Sequence, residues 1–324
     1  TCTPAQPVLP THMRIIRDAY FIDPTVLGAA VAIGIFVDVH LVHQHVIDVG
    51  VEAADDKGVP LGLITIEPHP RALFPKDNNP FRLMNAEAKA NRLAKLGVEK
   101  LYEMPFNAGL SGLTDREFAQ TVITDQLGLT HVVVGADFCF GKGRKGTVES
   151  LTAYGAEMGF GVTIAPLLSI GSEEVSSTAI RTALTEGRPQ DAALMLGHWH
   201  RLENQVIRGE QRGRILGYPT ANMSIDDLHQ PKFGVYAVKV TVLDGTHAGR
   251  YDGAASIGIR PMFGENKPNC ESFLFDFKGD LYGATLSVAL VEYLRPELKF
   301  DGLDALITQM DADCARAREI LADV

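Results

Sequence analysis

The chain has 324 residues, 46% of them hydrophobic, with a net charge of −10 and four cysteines. That length predicts two domains, each large enough to bury its own core. The acidic balance disfavours nonspecific nucleic-acid binding but leaves room for nucleotides neutralised by local arginines or Mg²⁺. No run of eighteen apolar residues and no charged start before an apolar stretch occurs, so neither a helical membrane span nor a secretory leader is expected. Cys2, Cys139, Cys270 and Cys314 are too scattered for a disulfide framework or a cysteine zinc site. The expectation is a cytoplasmic protein with reduced thiols.

Residues 1–12, with Pro4, Pro7 and Pro10, read as a disordered leader before a natural start at Met13. From Ala29 to about Leu196, short apolar runs alternate with helical patterns. Strands are predicted at 29–36, 61–66, 100–106, 131–138 and 161–168, with helices at 85–96, 114–127 and 148–158. Asn85 and Thr114 stand where helix N-caps belong. Alternating strands and helices predict a parallel sheet covered on both faces. A linker is expected between Gly187 and His200, with Arg188-Pro189 opening a short helix. From about Glu203 the apolar period changes to two, at 235–243, 271–277 and 284–294, as in an antiparallel barrel or sandwich. The stretch 303–321 predicts an amphipathic helix packed against it.

Several segments carry chemistry. The glycines Gly209, Gly213 and Gly217 let backbone N–H groups approach a polyphosphate, and Thr220 and Asn222 offer hard oxygen donors to Mg²⁺. A glycine-rich hairpin is the alternative. His40 and His43 open a helix after a strand, near an N-terminus where anions bind; a surface pair is the alternative. Ser176, Ser177 and Thr178 start another helix whose hydroxyls and free N–H groups could hold a triphosphate, with Arg181 one turn on. An ordinary serine cap is the bland reading there. Glu271 leads an alternating strand and is either solvent-facing or a base, while Phe273, Phe275 and Phe277 read as barrel core. His69, between two prolines, and Asp137, at a strand end, are turn residues or ligand contacts.

The string Gly213-Arg-Ile-Leu-Gly-Tyr-Pro-Thr-Ala-Asn222 resembles the GRxLGxPTAN signature of riboflavin kinases. Glu67-Pro-His-Pro-Arg71, Val134-Gly-Ala-Asp-Phe-Cys-Phe-Gly141 and Val175-Ser-Ser-Thr-Ala-Ile-Arg181 occur in the order seen in bacterial bifunctional riboflavin kinase/FMN adenylyltransferases. The resemblance runs from Met13 to the C-terminal helix. It implies a Rossmann-like nucleotidyltransferase domain over 13–187, followed by an antiparallel β-barrel kinase domain over 200–324 with a C-terminal helix. It further implies riboflavin, FMN and ATP as substrates, with Mg²⁺ held by Thr220 and Asn222 and Glu271 as catalytic base. Gly209, Gly213, Gly217 and Thr220 would hold ATP in the kinase, and Asn222, Arg295 and Asp137 would contact flavin. In the other domain His40 and His43 would be catalytic, with ATP at His69, Ser176, Ser177, Thr178 and Arg181.

The family pattern over 34–43 is approximately GNFDGVHxGH, where this chain reads Gly34-Ile-Phe-Val-Asp-Val-His-Leu-Val-His43. Ile35 replaces an amide, Val37 a carboxylate, and Asp38 and Val42 replace glycines. A β-branched Val42 is expected to intrude on a ligand and Asp38 to bring negative charge toward a triphosphate. Adenylyl transfer is therefore expected to be the weaker activity. The alternatives are a monofunctional kinase with a degenerate nucleotide-binding domain and a non-catalytic flavin-binding protein. Met262 and Asn204 are smaller departures, at positions of a threonine and a glycine.

Overall fold

A computed structural model of the chain describes residues 13–17, 27–34, 36–67, 69, 80–166, 175–208, 218–262 and 265–324, with 260–262 and 265–266 as backbone only. The expectations for the leader, Ile35, Gly209, Gly213 and Gly217 lie outside the described residues. Contacts divide the chain into one unit of Thr1–Asn78 and Lys89–Glu173 and another of Asn79–Ala88 and Glu174–Val324.

In the first unit, β1 (Arg14–Arg17), β2 (Ala30–Ile33), β3 (Leu61–Glu67), β4 (Lys100–Pro105), β5 (His131–Gly135) and β6 (Gly161–Ala165) form a parallel sheet. Its order is β1-β4-β3-β2-β5-β6. Successive side chains point to opposite faces, so Ala29, Val31 and Ile33 enter one core while Ala30 and Ala32 enter the other. Both faces are covered, which is why the central strands read as unbroken apolar runs. Helix α1 (Leu41–Lys57) buries Val46, Ile47 and Ala54 in the second core, joined by α2 (Ala86–Lys95) through Ala90 and Leu93. The Asn85 side chain accepts from Ala88 N at 2.8 Å, the expected cap.

After α3 (Ala108–Gly112), the segment expected as one helix from Thr114 divides. A capping box of Thr114 and Glu117 starts α4 (Asp115–Phe118), which continues as a π-helical turn over Ala119–Gln126. Thr124 Oγ1 donates to Ala119 O at 3.1 Å and supports the wider turn. Helix α5 (Val148–Met158) is capped by Thr147 and ends at Gly159, whose φ of 88° suits a residue without Cβ.

In the second unit, α6 (Ser177–Glu186) and α7 (Pro189–Leu196) share one core through Ile180, Ala183, Leu184, Ala192 and Leu196. This shared core groups α6 with the residues that follow, so the contact boundary falls earlier in the chain than the sequence boundary at 187. The segment read as a linker is itself α7.

Six strands follow in an antiparallel sheet: β7 (Arg201–Gln205), β8 (Ala221–Ser224), β9 (Gly234–Val242), β10 (Gly249–Met262), β11 (Glu265–Leu274) and β12 (Thr285–Arg295). They run in the order β7-β12-β9-β10-β11-β8. Ile207 N donates to Asn222 O at 2.8 Å and Asn204 Nδ2 to Ser224 O at 3.0 Å, so the two ends of the sheet nearly close into a barrel. Leu202, Met223, Val238, Cys270, Leu274 and Val288 fill its interior. On the outer face, Ala237, Ala254, Phe275 and Val291 pack against Ala317 and Leu321 of α8 (Leu303–Ala322). The aromatics at and just after the end of β11 thus sit differently from expectation. Alternation sends Leu274 inward, while Phe273 and Phe275 join the cluster beneath α8 and only Phe277 packs on the interior cluster.

Candidate active sites

In the first unit the strand order reverses between β2 and β5, and open parallel sheets bind ligands beyond the carboxyl ends of strands at such a reversal. The residues after β2 are Gly34 to His43, and those after β5 include Asp137. Asp137 is exposed in the turn, its Oδ1 3.1 Å from where a Cβ on Gly135 would lie.

Val39 is buried with φ of 52°, a conformation that is strained for a β-branched residue. Its carbonyl accepts from Gln44 Nε2 at 2.8 Å, and Gln44 Oε1 accepts from Arg92 Nη2 at 3.1 Å. This brace fixes the turn that aims the two histidines. Residue 40 caps α1, with Nδ1 accepting from His43 N at 3.4 Å, and the His40 and His43 rings stack at 3.8 Å. Burial and the neighbouring His43 push the His40 pKa from 6.5 down to about 4, against the opposing pull of Asp38, so it is a neutral imidazole at pH 7.

Asp38 is buried beside these two histidines. Its side chain is 0% exposed, with Oδ1 3.2 Å from His43 Nδ1 and 3.9 Å from His40 Nε2. Its carboxylate faces two imidazoles, at the turn where a phosphate is expected. His69 is half-buried beyond β3, whose last residue, Glu67, pairs with the buried Lys89.

Ser176, Ser177, Thr178 and Arg181 all belong to the second unit. Ser176 Oγ accepts from Ala179 N at 3.2 Å, an ordinary cap. Arg181 donates to Phe81 O at 2.7 Å and Ser177 O at 3.1 Å, which fixes its guanidinium one turn into α6.

The barrel carries the clearest constellation. Glu271 on β11 lies opposite Asn222 on β8 and Ser256 on β10. Ala221, Met223, Cys270 and Leu274 point into the barrel, so Asn222 and Glu271 share the outer face. Asn222 is 8% exposed; its Nδ2 approaches Thr220 O at 3.5 Å, and its Oδ1 accepts from Asn269 Nδ2 at 2.9 Å. A backbone carbonyl only accepts, so it dictates which way the Asn222 amide turns. Asn269, absent from the sequence reading, then holds the oxygen. Its signal was its place two residues before Glu271, on the same face of the strand.

Thr220, but not Asn222 or Glu271, lines a pocket of about 230 Å³ with Pro219, Leu274, Phe277, Lys278 and Tyr282. Tyr218 packs edge-on against Phe273 and donates to Asp311 of α8, which pushes its pKa up to about 12. Arg295 is bound bidentately to the buried Asp313, at 2.6 Å from Nη2 and 2.9 Å from Nε, with Nη1 on Pro296 O. It therefore anchors α8 as well as standing at the end of β12.

A family model described as FAD synthetase matches residues 23–179, and one described as riboflavin kinase matches 196–321. The chain is 36% identical over 314 residues to the bifunctional riboflavin kinase/FMN adenylyltransferase of Listeria monocytogenes, covering 96% of this chain and 97% of that one. The chain belongs to the bifunctional riboflavin kinase/FMN adenylyltransferase family.

The family member of Bacillus subtilis is 35% identical over 290 residues, with 88% and 90% of the two chains covered. A solved structure, described as a macrolide-efflux protein from Streptococcus pneumoniae, is similar with a TM-score of 0.79 at 30% identity. It covers 93% of this chain and 96% of that one. Efflux is said of that protein; here no helix among the described residues is long and apolar enough to cross a membrane.

Proposed function

We propose that the chain phosphorylates riboflavin to FMN with ATP at the barrel and adenylylates FMN to FAD at the parallel-sheet site. The observation that carries the first half is the pairing of Asn222 with Glu271 across β8 and β11. A carboxylate there can take the proton of the ribityl 5′-hydroxyl as that oxygen attacks the γ-phosphorus of ATP, whose bond to the bridging oxygen breaks to release ADP. Thr220 and Asn222 supply a hydroxyl and an amide oxygen, hard donors that fit Mg²⁺. When bound, Mg²⁺ would neutralise phosphate charge. Asn269 keeps the Asn222 oxygen from rotating away, and Tyr218 tethers the end of the glycine-rich segment to α8. The flavin would lie near Arg295, whose pairing with Asp313 fixes the end of β12.

For the second step, the FMN phosphate oxygen attacks the α-phosphorus of ATP and pyrophosphate leaves. His40 and His43 stand at the N-terminal turn of α1, where N–H groups and the helix dipole favour phosphate. Asp137 beyond β5 is a polar contact for the flavin nucleotide and His69 a contact for ATP; the cap of α6, with Ser176, Ser177, Thr178 and Arg181, is by itself a second candidate set of ATP contacts. Both reactions draw on ATP, which fits a cytoplasmic protein.

Incubating the purified chain with riboflavin, ATP and Mg²⁺ and separating the flavins tests the assignment. Both FMN and FAD are expected. Recovery of riboflavin alone would refute it.

A further inference from the structure

The residue that departs most from the family pattern, Asp38 in place of a glycine, lies in a cluster with the chemistry of a metal site. Asp38, His40 and His43 each offer a ligand atom, and the three atoms lie within 4.8 Å of one another. Both imidazole nitrogens converge on the same carboxylate oxygen, at 3.2 and 3.9 Å. His43 Nδ1 is buried and makes no hydrogen bond among the described residues, so its approach to Asp38 is close without being aligned as one.

Tetrahedral coordination at about 2.0–2.1 Å places donor atoms roughly 3.3–3.4 Å apart. Of the cluster's three edges, one already has that length, a second needs a shift of roughly half an ångström, and the third, between the two imidazole nitrogens, is set by rotation of the rings. We propose that Asp38, His40 and His43 form a three-ligand site for a divalent transition metal, with Zn²⁺ the fitting ion and a fourth position open.

Two imidazoles and one carboxylate suit Zn²⁺ and its neighbours, whereas Mg²⁺ demands oxygen donors. Three protein ligands with an open position also match the coordination of catalytic rather than structural zinc. Binding requires His40 to move its ring proton from Nε2 to Nδ1. That releases the amide of His43, a long contact at 3.4 Å, and no proton leaves the site in this exchange. The stacked rings, now 9° from parallel, must also open so that both lone pairs meet at one point. The brace of Gln44 and Arg92 on Val39 holds the turn in place while they do so.

The site does not rest on adenylyl transfer, and its test uses no nucleotide. The full chain, stripped with a chelator and kept in excess Mg²⁺, is titrated with Zn²⁺ by calorimetry and with Co²⁺ by visible absorption. One equivalent of Zn²⁺ and a Co²⁺ d–d band of tetrahedral intensity are expected in the wild type. Asp38→Asn, nearly isosteric, should weaken binding by more than about 100-fold, beyond the roughly 10- to 100-fold loss of an outer partner. Equal Zn²⁺ affinity and stoichiometry in wild type and Asp38→Asn would overturn the proposal. So would a Co²⁺ complex without the tetrahedral band, which is decisive even if the variant fails to fold.

Discussion

The barrel site depends on where single polar atoms point. Asn222 presents an oxygen because Thr220 O faces its NH₂ group and Asn269 donates to its Oδ1. Asn269→Leu removes that donor and frees the amide to rotate. The Mg²⁺ concentration for half-maximal FMN formation should rise about 10- to 100-fold, the usual cost of losing a partner behind a metal ligand, while the KM for riboflavin stays near its wild-type value. An unchanged Mg²⁺ requirement would show that Asn269 only fills space.

His40 gives a second prediction. Its folded pKa of about 4 lies below the ordinary 6.5, so between those values the unfolded chain binds the extra proton. Stability is complete above pH 6.5 and is lost as pH falls to 4, by on the order of 3 kcal/mol. Asp38 and His43 face the ring and stay in place in His40→Asn, which keeps a capping oxygen. With chelator present, unfolding of that variant should vary less between pH 7 and 4.5 than wild type, and an equally steep profile would assign the dependence elsewhere.

Glu271, Thr220 and Asn222 stand out in the sequence as candidates because their motifs are long, and the fold brings Asn222 and Glu271 together across β8 and β11. Asn269 was not, since a lone asparagine beside a proline reads as a turn. The burial of Asp38 was invisible too, because a carboxylate in a loop reads as solvated until its neighbours are known.

Among the elements, the turn between β2 and α1 differs most from the family pattern. Val37 and Val42 are half-buried there, where a carboxylate and a glycine are expected. Asp38, by contrast, already faces His40 and His43. Val37→Asp with Val42→Gly should therefore raise FAD formation by about 10²-fold, the scale of one recovered polar contact to developing charge. Assays of FMN adenylylation with FMN supplied would register no gain if these valines were tolerated.

Helix α8 is fastened by Arg295–Asp313 and by Arg318–Asp276, with Arg318 also 4.2 Å from the Phe275 ring. Asp313→Ala strands a largely buried guanidinium and should cost about 3 kcal/mol, visible as earlier thermal unfolding of the barrel unit. A midpoint within a degree of wild type would show that α8 holds without it.

Alternating apolar runs made the parallel sheet readable, and the change to period two made the barrel readable. β1, with the sequence Arg14-Ile-Ile-Arg17 and mostly exposed, carried too little apolar signal. β10 was missed because Gly253, Gly258 and Pro261 interrupt its pattern. The facing of Phe273 and Phe275 was misjudged because the end of β11 is apolar on both sides: Leu274 meets the barrel interior and the two aromatics meet the cluster beneath α8.

At the scale of the whole molecule, the chain joins two units with separate cores, and FMN is the product of one chemistry and the substrate of the other. Phosphorylation is assigned to the barrel and adenylylation to the parallel sheet, and that division is testable. Glu271→Gln and His43→Ala, assayed separately for riboflavin phosphorylation and for adenylylation of supplied FMN, test it most directly. Glu271→Gln should slow FMN formation by about 10²–10⁴ and leave FAD formation from FMN near wild type, and His43→Ala should do the reverse. FMN formation unchanged in Glu271→Gln, or one folded variant losing both activities together, would contradict the account.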